Sequence, residues 1–217
     1  NRLAKNGQRY LFYTVSESIR RNLPVELALL PFIESQFDPY AQSSTGASGI
    51  WQFILSTARE QKLKKNWWYD GRRDIVASTG AAYDYLTKLH SKYDDWLLAI
   101  AAYNAGPNRI SKEIKKNLSK GLPADFWSLN LPKETKAYVP KLLALVEVIK
   151  NPSKFSVDIP FLPNRPYFQL VTLPSQVDLM QVANISGLKL EVIYELNPGF
   201  NQWATDPNGP FHILLPV

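Results

Sequence analysis

The chain contains no cysteine. No disulfide can brace it, no zinc–thiolate site can form, and no thiolate can serve as a nucleophile. Histidine is nearly as scarce: His90 and His212 are the only two. Neither has a second ligand at metal-binding spacing, and a Ser-His-Asp triad would have to recruit one of them without a nucleophile elbow in the sequence. His90 falls at the end of a predicted helix, where a cation is favoured by the peptide dipoles. Neither a metal nor a cofactor is expected. No apolar run reaches the length of a membrane span. Acidic residues are the minority charge, 19 against 25 Lys and Arg, for a net charge of +6. That balance favours polyanionic partners, but the basic residues are scattered rather than interleaved with aromatics, so nucleic acid is not an expected partner.

What the chain has is apolar material: 45% of its 217 residues are hydrophobic. That suffices for a packed core in one medium domain, or in one domain with a small module. The sequence opens on Asn1 with no Met and no signal segment, which suggests a processed or trimmed chain with its targeting information upstream.

Residues 1–150 read as helices joined by loops. Apolar residues recur at helical spacing over 8–21, and Pro24 suits a first helical position before the apolar run 25–33, which Pro31 should kink. A loop of small residues, 43–49, precedes a predicted helix over 50–61. Asp74 can cap a helix over 75–90. A strongly apolar helix over 95–104 stops at Gly106-Pro107, a basic amphipathic one covers 108–118, and another covers 133–150 with Pro140 bending it. Residues 151–166 carry Pro152, Pro160, Pro163 and Pro166, a helix-hostile composition that predicts a linker. Beyond it, a strand over 167–173, short helices over 178–185 and 189–197, and a strand over 212–216 make a βααβ module. Three parts result: 1–150, a linker over 151–166, and a module over 167–217.

Three motifs carry polar chemistry on apolar elements. Glu34 follows a mostly apolar stretch, a setting that raises a carboxyl pKa as a general acid requires, although a surface Glu at a helix end has the same local signature. In the stretch 46–53, glycines permit close backbone approach, Trp51 could stack on a sugar face and Gln52 could hydrogen-bond an amide. A tight turn followed by a core Trp fits equally. Tyr103 and Asn104 place polar tips at the end of the apolar helix, before Gly106, where plain helix punctuation is the alternative.

Singly these are weak signals, but their order and spacing are specific. Glu34-Ser35, Ser43, Gly49-x-x-Gln52, Ala102-Tyr103-Asn104-Ala105-Gly106 and Tyr138 together resemble the family 1 lytic transglycosylases. The stretches 70–74 and 134–140 add to the likeness, which covers about residues 7–150. Ile50-Trp51 departs from the Leu-Met of other branches and bears on subsite shape rather than chemistry. Residues 188–199 are similar to the second half of a LysM peptidoglycan-binding module. The first half is replaced by 175–179, and an insertion, 203–210, precedes the last strand. The resemblance implies a mainly α fold: a goose-lysozyme-like helical catalytic domain followed by a small α+β, LysM-like module. Glycan binding by that module and packing of it against the catalytic domain are both compatible with the sequence.

The resemblance also implies a reaction. Glu34 would act on the β-1,4 bond between N-acetylmuramic acid and N-acetylglucosamine in peptidoglycan glycan strands. It would serve as the single acid and base and leave a 1,6-anhydro end. Ser43 and Gln52 would position Glu34 and the substrate acetamide, while Tyr103, Asn104 and Tyr138 would line the cleft. A monomer is expected, working in the periplasm and held to the outer membrane through a lipid anchor upstream of this sequence. Two other classes stay open: a hydrolytic muramidase, with a second catalytic group among Asp38, Asp70 and Asp74, and a non-catalytic wall-binding protein.

Overall fold

A computed structural model describes residues 2–217, with side chains from Gly7 onward. Two compact units divide the chain. One takes in the chain up to Ala81 together with Pro160–Val217, and the other is Ala82–Ile159.

The first unit begins with α1 (Arg2–Arg20), which buries one stripe, Tyr10, Thr14 and Ser18, at helical spacing. Thr14 and Ser18 are polar, and their hydroxyls donate back to the Leu11 and Val15 carbonyls, so neither is buried unsatisfied. Asn22 adopts the left-handed conformation and Leu23 N–H closes on the Ser18 carbonyl, which ends the helix. The expected continuous helix over 25–33 is instead a 3-10 turn, Val25–Leu29, followed by α2 (Leu30–Glu34). Pro31 sits in the first turn of α2, where a missing N–H costs nothing, so it starts a helix rather than kinking one.

The helix expected over 50–61 shortens to α3 (Leu55–Glu60). Residues 50–53 form a turn in which Gln52 has a φ of 49° and donates its N–H to Gly49, while Ser48 N–H bonds the Phe53 carbonyl. Burial of Ile50, Trp51 and Phe53 on both sides of that turn outweighs helical propensity. The Asp74 carboxylate caps α4 (Ile75–Tyr93) by accepting from Ala77 N–H at 2.8 Å, as expected.

The unit closes with the C-terminal segment. β1 (Phe168–Thr172) pairs antiparallel with β2 (His212–Pro216), Phe168 opposite Pro216 and Thr172 opposite His212. Between them lie α8 (Leu179–Ser186), capped by Asp178, and α9 (Leu190–Leu196). The module's core is not its own alone: Leu179, Ala183, Ile193, Phe200 and Ile213 cluster around Tyr69. The Tyr69 ring lies 5.7 Å from Phe200, and Asp70 N–H donates to the Gly199 carbonyl at 2.8 Å. Tyr13 of α1 meets Phe168 of β1 at 5.4 Å between ring centres. Tyr10 and Tyr40 hydroxyls donate to the Glu195 and Tyr194 carbonyls, and Arg9 pairs with Glu195. Of the two possibilities left by the sequence, packing against the N-terminal part is present.

In the second unit, α5 (Trp96–Ala105) is capped by Asp95 and buries Leu98 through Ala102 consecutively, so it is enclosed on all sides. Two further helices, α6 (Pro107–Leu118) and α7 (Lys133–Lys150), pack against it, and Tyr85 of α4 meets Tyr103 of α5. α7 continues through Pro140. Residues 156–166 have no regular structure, and the unit boundary falls within them, between Ile159 and Pro160. Among the described residues, no helix is long and apolar enough to cross a membrane.

Candidate active site

Glu34 is the last residue of α2 and is half-buried. The next residue fixes its surroundings: Ser35 Oγ donates to the Ile50 carbonyl at 3.0 Å, which ties the end of α2 to the loop that follows. That loop, residues 41–53, is held by bonds across itself. Gly49 N–H reaches the Ala41 carbonyl, and Ser43 N–H reaches that of Ala47. Ser43 Oγ receives Ala47 N–H at 3.0 Å and shares a proton with Thr45 Oγ1 at 2.8 Å. The Gln52 side chain donates to the Gly49 and Ala41 carbonyls at 2.8 and 3.2 Å. Ser43 and Gln52 are thus both engaged in shaping this loop. Trp51 is fully buried and donates its indole N–H to Thr79 at 3.0 Å, so it is a core residue and no sugar platform.

Beneath the loop lies Arg72, 2% exposed. Its Nη1 donates to the Gly46 carbonyl at 2.7 Å and to that of Phe53 at 3.3 Å, and its Nε and Nη2 engage both oxygens of Asp70 at 3.0 and 2.7 Å. Burial pushes the Asp70 carboxyl up, but the Arg72 hydrogen bonds and charge prevail and hold it below its ordinary value. Asp74 is similar: burial raises it, and the His212 contact at 2.8 Å brings it below its ordinary range. Asp38 accepts Tyr40 N–H at 2.9 Å.

The second unit carries the other expected residues. Tyr103 is half-buried on α5 with its ring 5.8 Å from Tyr85. Asn104 Oδ1 accepts from Thr135 Oγ1 at 2.9 Å, and Tyr138, one turn further along α7, is 5% exposed. The Asn104–Thr135 bond therefore joins α5 to the part of α7 that bears Tyr138. The structure groups the six residues as two sets: Glu34, Ser43 and Gln52 in the first unit, Tyr103, Asn104 and Tyr138 in the second. In the sequence Arg72 belongs to the stretch 70–74, whose signal is two carboxylates and two guanidiniums around Gly71.

Comparison with known proteins decides the family. Residues 14–124 match the transglycosylase SLT domain, a span that includes Glu34, Ser43, Gln52, Tyr103 and Asn104. This chain belongs to the SLT transglycosylase family. Residues 167–217 match the LysM-like domain of lytic transglycosylase MltD. The fold is accordingly mainly α, a lysozyme-like SLT domain with a small α+β module. Among relatives, the membrane-bound lytic murein transglycosylase D of Escherichia coli strain K12 is 42% identical over 211 residues, 97% of this chain and 47% of that protein. A putative tributyltin chloride resistance protein of Alteromonas sp. strain M-1 is 40% identical over 147 residues, 67% of this chain and 70% of that one. The chain thus spans about half the length of the transglycosylase D it matches.

Proposed function

We propose that this chain cleaves peptidoglycan glycan strands between N-acetylmuramic acid and N-acetylglucosamine without consuming water, with Glu34 as its only proton-transferring group. One observation carries this beyond the family match: the competing carboxylates are already engaged. Asp70 is locked to Arg72 and Asp74 to His212, both held toward the ionised form by these partners, so neither is poised to trade protons with a water. Asp38 accepts a backbone N–H, and in this reading no second carboxylate activates a water as a two-carboxylate hydrolysis requires.

The steps then follow from one carboxyl group. Glu34 protonates the glycosidic oxygen as the bond to the anomeric carbon breaks. The substrate's own acetamide oxygen bonds the anomeric carbon from the face opposite the leaving oxygen. The Glu34 carboxylate next removes the proton from the muramic acid 6-hydroxyl, whose oxygen displaces the acetamide. The product is a 1,6-anhydro end, and Glu34 is regenerated as the acid. In this scheme Ser43 and Gln52 shape the loop beside Glu34, and Tyr103, Asn104 and Tyr138 bind the glycan. Because peptidoglycan lies outside the cytoplasmic membrane, the place of action is the periplasm, and anchoring to the outer membrane through lipid belongs to the same proposal.

Digestion of purified sacculi in oxygen-18 water tests it. A tethered hydroxyl has an effective molarity of about 100,000 M or more, so new muramic ends should be unlabelled and about 20 mass units, one oxygen-18 water, lighter than ends hydrolysed in the same medium. Labelled reducing ends as the main product would make the enzyme a muramidase.

A further inference from the structure

The first unit contains a chain of contacts that starts in the C-terminal module and ends at the loop bearing Gln52. The Gly199 carbonyl accepts Asp70 N–H at 2.8 Å. The Asp70 carboxylate holds Arg72 by both oxygens and also accepts Arg72 N–H at 3.1 Å. Arg72 then grips the loop from two sides. Its guanidinium bonds the carbonyls of Gly46 and Phe53, the two ends of the segment containing Gln52. Its own backbone carbonyl lies against Gly49, where an added Cβ would stand only 1.9 Å from that oxygen. Gly49 has a φ of 84° and Gln52 one of 49°, so the segment keeps an unfavourable backbone that its surroundings must enforce. The same segment receives Ser35 Oγ at Ile50, one residue from Glu34.

We propose that Arg72 is a positioning residue for the reaction and that the C-terminal module is part of the same support. On this view, Arg72 fixes the 46–53 segment, and with it Gln52 and the end of α2 that bears Glu34. The module, through Gly199, fixes Asp70 and so Arg72. Lysine cannot replace arginine here, since one ammonium cannot hold two carbonyls and both carboxylate oxygens in a planar fork. Close packing makes the module end of this chain exacting as well: a Cβ on Gly199 would meet Tyr69 Cε2 at 2.9 Å and Asp74 Cβ at 3.1 Å. The inference rests on the proposed glycan cleavage, because it concerns the placement of that reaction's acid.

The test uses the full chain with soluble glycan strands as substrate. Wild type, Arg72→Lys, Gly199→Ala and Glu34→Gln are compared for kcat, KM and thermal unfolding, with kinetics run far enough below each Tm that all the protein is folded. A residue serving stability alone would leave kcat unchanged there. A misplacement near 1 Å at an acid can cost on the order of a hundredfold, so Arg72→Lys should lose about tenfold to a hundredfold in kcat with KM nearly constant. Gly199→Ala, which touches neither the loop nor the guanidinium, should lose kcat in the same sense, about threefold to tenfold by the same argument. Wild-type kcat in folded Arg72→Lys overturns the proposal. Should that variant not fold, Gly199→Ala decides: an unaltered kcat overturns it and a lowered one supports it. Failure of the underlying reading looks different, because wild type would then not cleave or Glu34→Gln would cleave as well as wild type.

Discussion

Glu34 closes a five-residue helix whose start is set by a proline and whose end is pinned by the neighbouring serine. Its replacement by Gln keeps size and hydrogen-bonding capacity and removes only the titrating proton. General acid–base contributions are worth about 100- to 10,000-fold, and in the proposed mechanism one residue serves both transfers, so Glu34→Gln should lose activity at the upper end of that range or beyond. Release of soluble fragments from sacculi measures it; retention of more than about a tenth of the rate would be incompatible with a mechanism that runs every proton through this group. Glu34, Ser43, Gln52, Tyr103, Asn104 and Tyr138 were all nominated from motif order. Trp51 was ambiguous, because an aromatic beside glycines reads alike whether it faces a sugar or a core. Its full burial is decided by Thr79, 28 positions away.

At the scale of elements, the join between α4 and β2 is a titrating one. Asp74 caps α4 and holds His212, the first residue of β2. Burial lowers the His212 pKa, but the Asp74 hydrogen bond and charge prevail and raise it above 6.5. A raised histidine contributes stability that is fully present below its unfolded pKa and is lost as pH rises through the folded one. Asp74 is depressed, so its share is present above its ordinary 3.8 and is lost as pH falls through the folded value. The charged pair therefore acts between the lowered Asp74 value, below 3.8, and the raised His212 value, above 6.5. Thermal melts of wild type and His212→Gln should differ most near about pH 5, and the difference should shrink by about pH 9, where the imidazole is neutral. A difference that grows toward alkaline pH would refute the pairing. The elements themselves followed their sequence signals where periodicity and caps agreed, as in α4 and α5. They departed at 25–33 and 50–61, where proline placement and buried apolar residues on both sides of a turn overrode helical spacing.

For the whole molecule, the proline-rich residues 151–166 read as a linker that sets the module apart from 1–150. The contacts argue otherwise. Tyr69 sits in the module's core, while Tyr10, Arg9, Lys64 and Asp74 each hold a partner beyond residue 190. A chain ending near Asn151 would uncover Tyr69 and strand Asp74 without its cation. Each large apolar side chain so exposed costs roughly 1.5–3 kcal/mol, against a typical total stability of about 5–15 kcal/mol. The truncated chain should melt at markedly lower temperature or fail to fold, measured by circular dichroism and calorimetry. An unchanged melting temperature would show that the tail is dispensable to the fold.

The sequence by itself determined the helical character, the caps, the proline-rich break and the βααβ order of the tail, and it singled out Glu34 as the candidate acid. Each of these is written in spacing over a few residues, the range across which periodicity and turn chemistry act. Only the tertiary structure decided that Tyr69 completes the module's core, that Asp74 finds His212 and that Arg72 clamps the loop of Gln52. The Asp74–His212 contact joins positions 138 residues apart, and the Arg72–Gly46 contact joins positions 26 apart. No local pattern encodes such pairings; they arise because buried charges and aromatic rings must find partners wherever the folded chain brings them.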